Sequence, residues 1–114
     1  MIQRGQVYFG TLGDHADGIQ SGSRPLLVLQ NNTGNKYSKT ILVAPITSQR
    51  KKEMPTHFHI TLNKKSTVLC EQITVIQKSQ LGSLLYTLND KEIQMLDKAL
   101  IASLGIKCGG STDG

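Results

Sequence analysis

A chain of 114 residues with 38% hydrophobic side chains is enough for one compact domain and too short for two. Its net charge of +5 turns it toward polyanionic or acidic partners: nucleic acid, an anionic membrane surface or an acidic protein. No apolar run approaches the roughly 20 residues of a membrane span, Met1-Ile2-Gln3-Arg4-Gly5 lacks the apolar core of a signal peptide, and Cys70 and Cys108 form no C-x-x-C pair. The expectation is a cytosolic protein with reduced thiols, without a disulfide scaffold or a zinc site. A core this small leaves much surface unburied, so pairing with a second copy adds burial.

Taken in order, Gln6 to Leu12 reads as a short strand. Gly13 to Ser23 is polar and glycine-rich and reads as a mobile loop, a length that is often functional. Pro25 to Gln30 is nearly all apolar, as in a strand buried on both faces. Asn31 to Tyr37 is a turn cluster and Thr40 to Thr47 a further strand. Arg50-Lys51-Lys52-Glu53 is a charged loop. His57 to Leu62 alternates, with Phe58, Ile60 and Leu62 on one face and His57, His59 and Thr61 on the other. Asn63 to Ser66 is a turn, Thr67 to Ile76 one long strand, and Leu81 to Leu88 a last short one. The clearest helix closes the chain: Asn89 as N-cap, Glu92 completing a capping box, a stripe of Ile93, Leu96, Leu100 and Leu104, and Gly105 as terminator. Strands followed by one helix predict a small, strongly bent sheet or barrel. One domain is expected over 1–106, with 107–114 as a flexible tail.

Standard site patterns fail. There is no phosphate-binding or dinucleotide glycine signature and no H-E-x-x-H. His57 and His59 share a strand face, but no third metal ligand accompanies them. Asp14, Asp17, Glu53 and Glu71 do not form an obvious carboxylate set for a two-metal nuclease. Two segments carry more. Pro25 biases Arg24 toward an extended backbone at a loop-to-strand junction, from which its planar fork can meet a phosphate; a solvated loop arginine is the plainer alternative. Pro45 removes a ladder donor and implies an edge or a bulge. Thr47 and Ser48 then stand at a strand end, either to bind phosphate or to cap the next turn.

Arg4-Gly5-Gln6-Val7-Tyr8-Phe9, Gln20-Ser21-Gly22-Ser23-Arg24-Pro25, Ile46-Thr47, Pro55-Thr56-His57 and Glu71-Gln72-Ile73 together resemble the signature blocks of the MazF/PemK toxins, in order and at near-matching spacing. The similarity spans about Ile2 to Ile106. It implies an SH3-like barrel of the CcdB/MazF type with a C-terminal helix, a homodimer and an acidic antitoxin. It implies sequence-specific, cofactor-free and metal-independent cleavage of single-stranded RNA, leaving a 2′,3′-cyclic phosphate and a 5′-OH. By that resemblance Arg24 and Thr47 are catalytic, and Gln20, Gly22, Ser48, His57 and Gln72 bind substrate. Ile19 stands where the family often has an acid and Thr74 where it often has arginine, which puts the sequence preference, rather than the chemistry, in question.

RNA supplies its own nucleophile, the 2′-OH, so the site must take that proton, stabilise the phosphorane and protonate the leaving oxygen. A guanidinium does not give up its proton readily, so charge stabilisation is the easier role for Arg24. His57, water and Arg24 remain open as the base. Two other classes stay open as well: a non-enzymatic toxin of the same fold that binds a topoisomerase, and an RNA-binding barrel. Three Tyr, two Phe and no Trp argue against a base-stacking platform.

Overall fold

The computed structural model describes residues 1–13 and 18–107. Parts of the expected 13–23 loop and of the expected tail, with Cys108, lie outside them.

Among the described residues, seven strands and two α-helices follow one another as β1 (Gln6–Leu12), β2 (Gly22–Val28), α1 (Asn32–Tyr37), β3 (Thr40–Thr47), β4 (His57–Thr61), β5 (Lys65–Leu69), β6 (Thr74–Gln77), β7 (Leu81–Thr87) and α2 (Asp90–Leu104), with a short 3-10 turn at Lys78–Gln80 between β6 and β7. The strands form a curled half-barrel in the order β4-β5-β3-β2-β1-β7, with β6 also on β3. The pairings are antiparallel throughout.

β3 organises the sheet. Along one flank it pairs first with β6, over Thr40 to Val43, and then with β5, over Ile46 and Thr47. Pro45 sits in the gap between those partners and faces Leu26 of β2 on the other flank. The missing donor falls where β3 changes neighbours, so neither the edge nor the bulge expected at Pro45 is needed. The same hand-over explains why Thr67 to Ile76 is not one strand. β5 and β6 serve opposite ends of β3, and the chain must turn between them at Cys70 to Ile73.

β2 begins earlier than expected, so Arg24 lies inside the strand, opposite Gly10, rather than at its mouth. β3 covers β2 only from Leu26 onward, which leaves an open side at Pro25 for the absent donor. Beyond it the strand is buried on both faces, as its apolar run requires. Leu27 joins one cluster with Ala44, Ile46, Phe58, Ile60 and Leu96. Leu26 and Val28 join another with Leu12, Ile41 and Val43. The Asn31 to Tyr37 turn cluster is a short helix instead, because the Asn31 side chain accepts the Gly34 N–H and caps it.

α2 carries both halves of its capping box and ends on Gly105 in the left-handed conformation. Leu96 and Ala99 are fully packed against the sheet, whereas Leu104 of the expected stripe is 59% exposed. The helix is tied at its middle and near its C-terminal end. Arg4 meets Asp97 at 2.7 Å, and the Ser103 hydroxyl donates to the Cys70 carbonyl at 2.7 Å. Burial, and then the Glu71 charge, push the Cys70 thiol up to about 12, so it remains an inert protonated core group.

Candidate active site

Arg24 is half-buried in β2, and its guanidinium crosses toward the end of β3. Nε donates to the Ser21 carbonyl at 3.1 Å and Nη1 to the Ile46 carbonyl at 3.4 Å. Of the five N–H donors of an arginine, those two are engaged among the described residues. The glycine at position 10, directly across β1, is required by space: a Cβ there would stand 2.8 Å from Leu26 Cδ1 and 3.0 Å from the Gln80 carbonyl.

The Ile46 carbonyl belongs to the peptide that leads into Thr47, so the fold brings Arg24 to the Thr47 segment. Thr47 is 4% exposed, and its Oγ1 accepts the Gln49 N–H at 3.1 Å. This is the capping role, and it leaves the hydroxyl proton free to donate. Ser48 is exposed beside it. One groove of about 570 Å³, walled by Phe9, Pro25, Ile46, Leu85 and Tyr86, reaches Ser48 from one side. A cleft of about 580 Å³, walled by Arg50, Lys52, His59 and Lys65, reaches it from the other.

Gln20 and Gln72 also meet, but as a brace. The Gln72 side-chain amide accepts the Gln20 N–H at 2.8 Å and donates to the Gly18 carbonyl at 3.0 Å. One side chain thus pins the end of the β1–β2 connection that leads to Arg24, and two such bonds contribute on the order of 1 kcal/mol each. Gly22 begins β2 at φ 73°, a left-handed backbone that favours glycine, with open space around it.

His57 stands apart from this group. Its ring Nε2 shares a 2.9 Å bond with Glu71 Oε2, and its side chain is 4% exposed. Thr56 donates to the other Glu71 oxygen at 3.2 Å. Glu71 and Gln72 lie in the turn that interrupts the expected long strand, and each braces a different neighbour.

Strand register puts the other histidine on the Thr47 row. Thr47 faces Thr67 on β5, and Thr67 faces His59 on β4. His59 Nδ1 and Thr67 Oγ1 are 3.1 Å apart, and both Glu53 oxygens lie within 3.1 and 2.8 Å of His59 Nε2. The sequence shows the two histidines sharing a strand face, but register alone separates their surroundings. Among the described residues no group of three or more His, Cys, Asp or Glu gathers around a point, and the two histidines are tied to different carboxylates.

Residues 3–104 match the family of PemK-like, MazF-like toxins of type II toxin–antitoxin systems. The chain belongs to that family. It is similar to the endoribonuclease MazF of Staphylococcus saprophyticus, at 40% identity over 112 residues and 93% of either chain. Among solved structures it resembles a mycobacterial endoribonuclease in complex with its cognate antitoxin, at 24% identity with a TM-score of 0.81, covering 95% of this chain and 99% of that one. It also resembles a MazE–MazF structure from Deinococcus radiodurans, at 22% identity with a TM-score of 0.74, covering 93% and 97%. Those two likenesses support the half-barrel with its C-terminal helix, the shape expected of a MazF/PemK chain. No helix among the described residues is long and apolar enough to cross a membrane.

Proposed function

We propose that this MazF/PemK-family chain is an endoribonuclease toxin that cuts single-stranded RNA, without a metal, at a phosphodiester held by Arg24 and Thr47. The observation that carries the reading is the reach of the Arg24 guanidinium to the Ile46 carbonyl, beside two hydroxyls. A rigid strand holds a permanent cation where a phosphate can also meet the Thr47 O–H and Ser48. The 2′-oxygen attacks phosphorus and the P–O5′ bond breaks. The 2′ proton passes to water and the 5′-oxygen takes one back, leaving a 2′,3′-cyclic phosphate and a 5′-OH. Arg24 stabilises the charge that builds on the phosphorane, the largest contribution a preorganised cation makes. The His57 side chain is 4% exposed, which favours water as the base, and its bond to Glu71 gives it a bracing role at the start of β4. Gln72 and Gln20 hold the Arg24 approach, and Gly22 provides its backbone turn.

Residues 1–106 act as one domain, with 107–114 as a tail. The chain works as a homodimer in the cytoplasm and is silenced by an acidic antitoxin. Phe9 at 45% and Leu85 at 46% exposure, walling the apolar groove, support a partner surface there. Related toxins have been solved with antitoxins bound, and the +5 charge suits an acidic one. The test is cleavage of a long single-stranded RNA by pure protein in EDTA, with both new ends identified. Cuts bearing 5′-phosphates, or cleavage that requires added Mg²⁺, overturn the reading.

A further inference from the structure

The polar cleft on the far side of Ser48 has a charge arrangement that the cutting site does not explain. Arg50, Lys51, Lys52 and Lys65 line it, with His59 and a single carboxylate, Glu53. A carboxylate among four cations is expected to pair with one of them. Glu53 instead places both oxygens on His59 Nε2, at 2.8 and 3.1 Å. Among the described residues none of the four cations pairs with a carboxylate.

His59 is well placed to hold Glu53. It projects from β4, and Thr67 fixes the other face of its ring through Nδ1 at 3.1 Å. Because Nε2 faces a carboxylate, which only accepts, Nε2 carries a proton and donates it to Glu53, while Nδ1 shares its bond with the Thr67 hydroxyl. Thr67 is in turn the register neighbour of Thr47. Neighbouring strands lie about 4.8 Å apart, so β4 stands about 10 Å from β3. That places the His59 backbone beyond the phosphate held at Thr47 and beside the next part of the strand.

We propose that this cleft is a second phosphate subsite for the RNA strand, flanking the phosphodiester that is cut, and that His59 is its positioning residue. By capturing Glu53, His59 keeps that carboxylate from occupying the cations that the RNA needs. The proposal rests on the endoribonuclease reading. It differs from a direct contact in one respect: the damage from losing His59 passes through Glu53, so removing the Glu53 charge repairs it.

The experiment uses the full chain and a single-stranded RNA oligonucleotide containing a cut site mapped with the wild-type protein. His59→Ala is expected to raise KM about three- to fivefold, the scale of one exposed ion pair gained by a competitor, with kcat changed far less. The salt dependence of binding becomes shallower by about one counterion, because Glu53 now neutralises one cation. His59→Gln, whose amide N–H can still donate to Glu53, stays close to wild type. Glu53→Gln alone gives a KM no higher than wild type, and adding it to His59→Ala restores KM to within about twofold. A double variant as impaired as His59→Ala overturns the proposal, because the histidine then acts by itself. So does a several-fold rise in KM for Glu53→Gln alone, or a His59→Ala protein that matches wild type. If the wild-type chain cuts no RNA at all, the endoribonuclease reading falls and takes the subsite with it; if it cuts and the His59 variants are silent, only the subsite falls.

Discussion

The groove walled by Phe9, Pro25 and Leu85 and the cleft walled by Arg50, Lys52 and Lys65 enclose about 570 and 580 Å³ and share one residue, Ser48. Their size is similar and their chemistry differs: Phe9, Pro25, Ile46, Leu62, Leu85 and Tyr86 share the first with polar residues such as Asn63 and Lys64, whereas the second has, among the described residues, no aliphatic or aromatic hydrocarbon wall. The first sets exposed apolar side chains around a strand surface and gains by excluding water. The second concentrates positive charge on an irregular segment and gains by meeting a polyanion. Thr47, which begins the wall between them, is fixed by its own cap to Gln49 and by β5 pairing, so that neither occupant has to build it. A small chain thus sets two unlike surfaces on either side of Ser48, the seam, which follows Thr47 in the chain and lies two residues beyond the Ile46 carbonyl that Arg24 reaches.

The largest effect expected at that seam is the loss of Arg24. Arg24→Ala should slow RNA cleavage by about a hundredfold or more, the value of one preorganised charge contact in the transition state. Its stability cost should stay near 1 kcal/mol, because the side chain is only half-buried. Arg24→Lys keeps the charge and loses the fork, so it should also be badly impaired. A lysine variant that cuts at the wild-type rate would reduce Arg24 to general attraction.

The apolar groove is separable. Leu85→Lys places a charge among Phe9, Pro25 and Ile46, and should shift the protein from dimer to monomer in light scattering at micromolar concentration. The intrinsic affinity of the basic cleft for RNA should be affected less than self-association. Unchanged dimerisation in this variant, or a wild-type protein that is monomeric throughout, contradicts the division of labour between the two grooves.

Gln72→Ala removes both bonds that brace Gly18 and Gln20. Cleavage should fall about fivefold, an effect of about 1 kcal/mol, through looser placement of the approach to Arg24. Amide exchange at Gln20 should accelerate in the same variant; a rate of exchange equal to wild type would show that the brace is idle. The smallest effect is reserved for Cys70→Ala. A thiol that burial holds protonated, with a pKa pushed up to about 12, takes no part in the chemistry. Cleavage should match wild type within twofold, with a stability loss of roughly 1 kcal/mol from the small cavity, read by denaturant melting.

What the sequence disclosed follows the range of the forces involved. β3 begins and ends where its residues say, and α2 is read correctly from Asn89, Glu92 and Gly105, because alternation and capping are local. The break at Cys70 to Ile73 is invisible locally. It exists because β5 and β6 answer to opposite ends of β3, and apolar residues on both faces suit either outcome. Asn31 to Tyr37 misleads for a different reason, since the same asparagine that favours a turn also caps a helix.

The site divides in the same way. Arg24 and Thr47 stand out through the family resemblance, and the fold adds the contact between their segments. Gln72 and Gln20 are expected to touch substrate; the fold adds that the Gln72 side chain also braces the Gln20 N–H and the Gly18 carbonyl. His59 was legible only as a partner for His57. Its relation to Glu53 needs the path of the 48–56 segment, and its relation to Thr47 needs the β3–β5–β4 register, neither of which is written in residue spacing.

The most direct test of the central claim is the chemistry of the cut ends. Wild-type protein and Arg24→Ala are incubated with the same single-stranded RNA in excess EDTA, and the products are identified by mass. Wild type should give discrete fragments ending in 2′,3′-cyclic phosphate and beginning with 5′-OH, and Arg24→Ala should leave the RNA essentially intact while remaining folded. Equal cleavage by the two proteins, or no cleavage by wild type, contradicts the assignment of RNA cutting to Arg24.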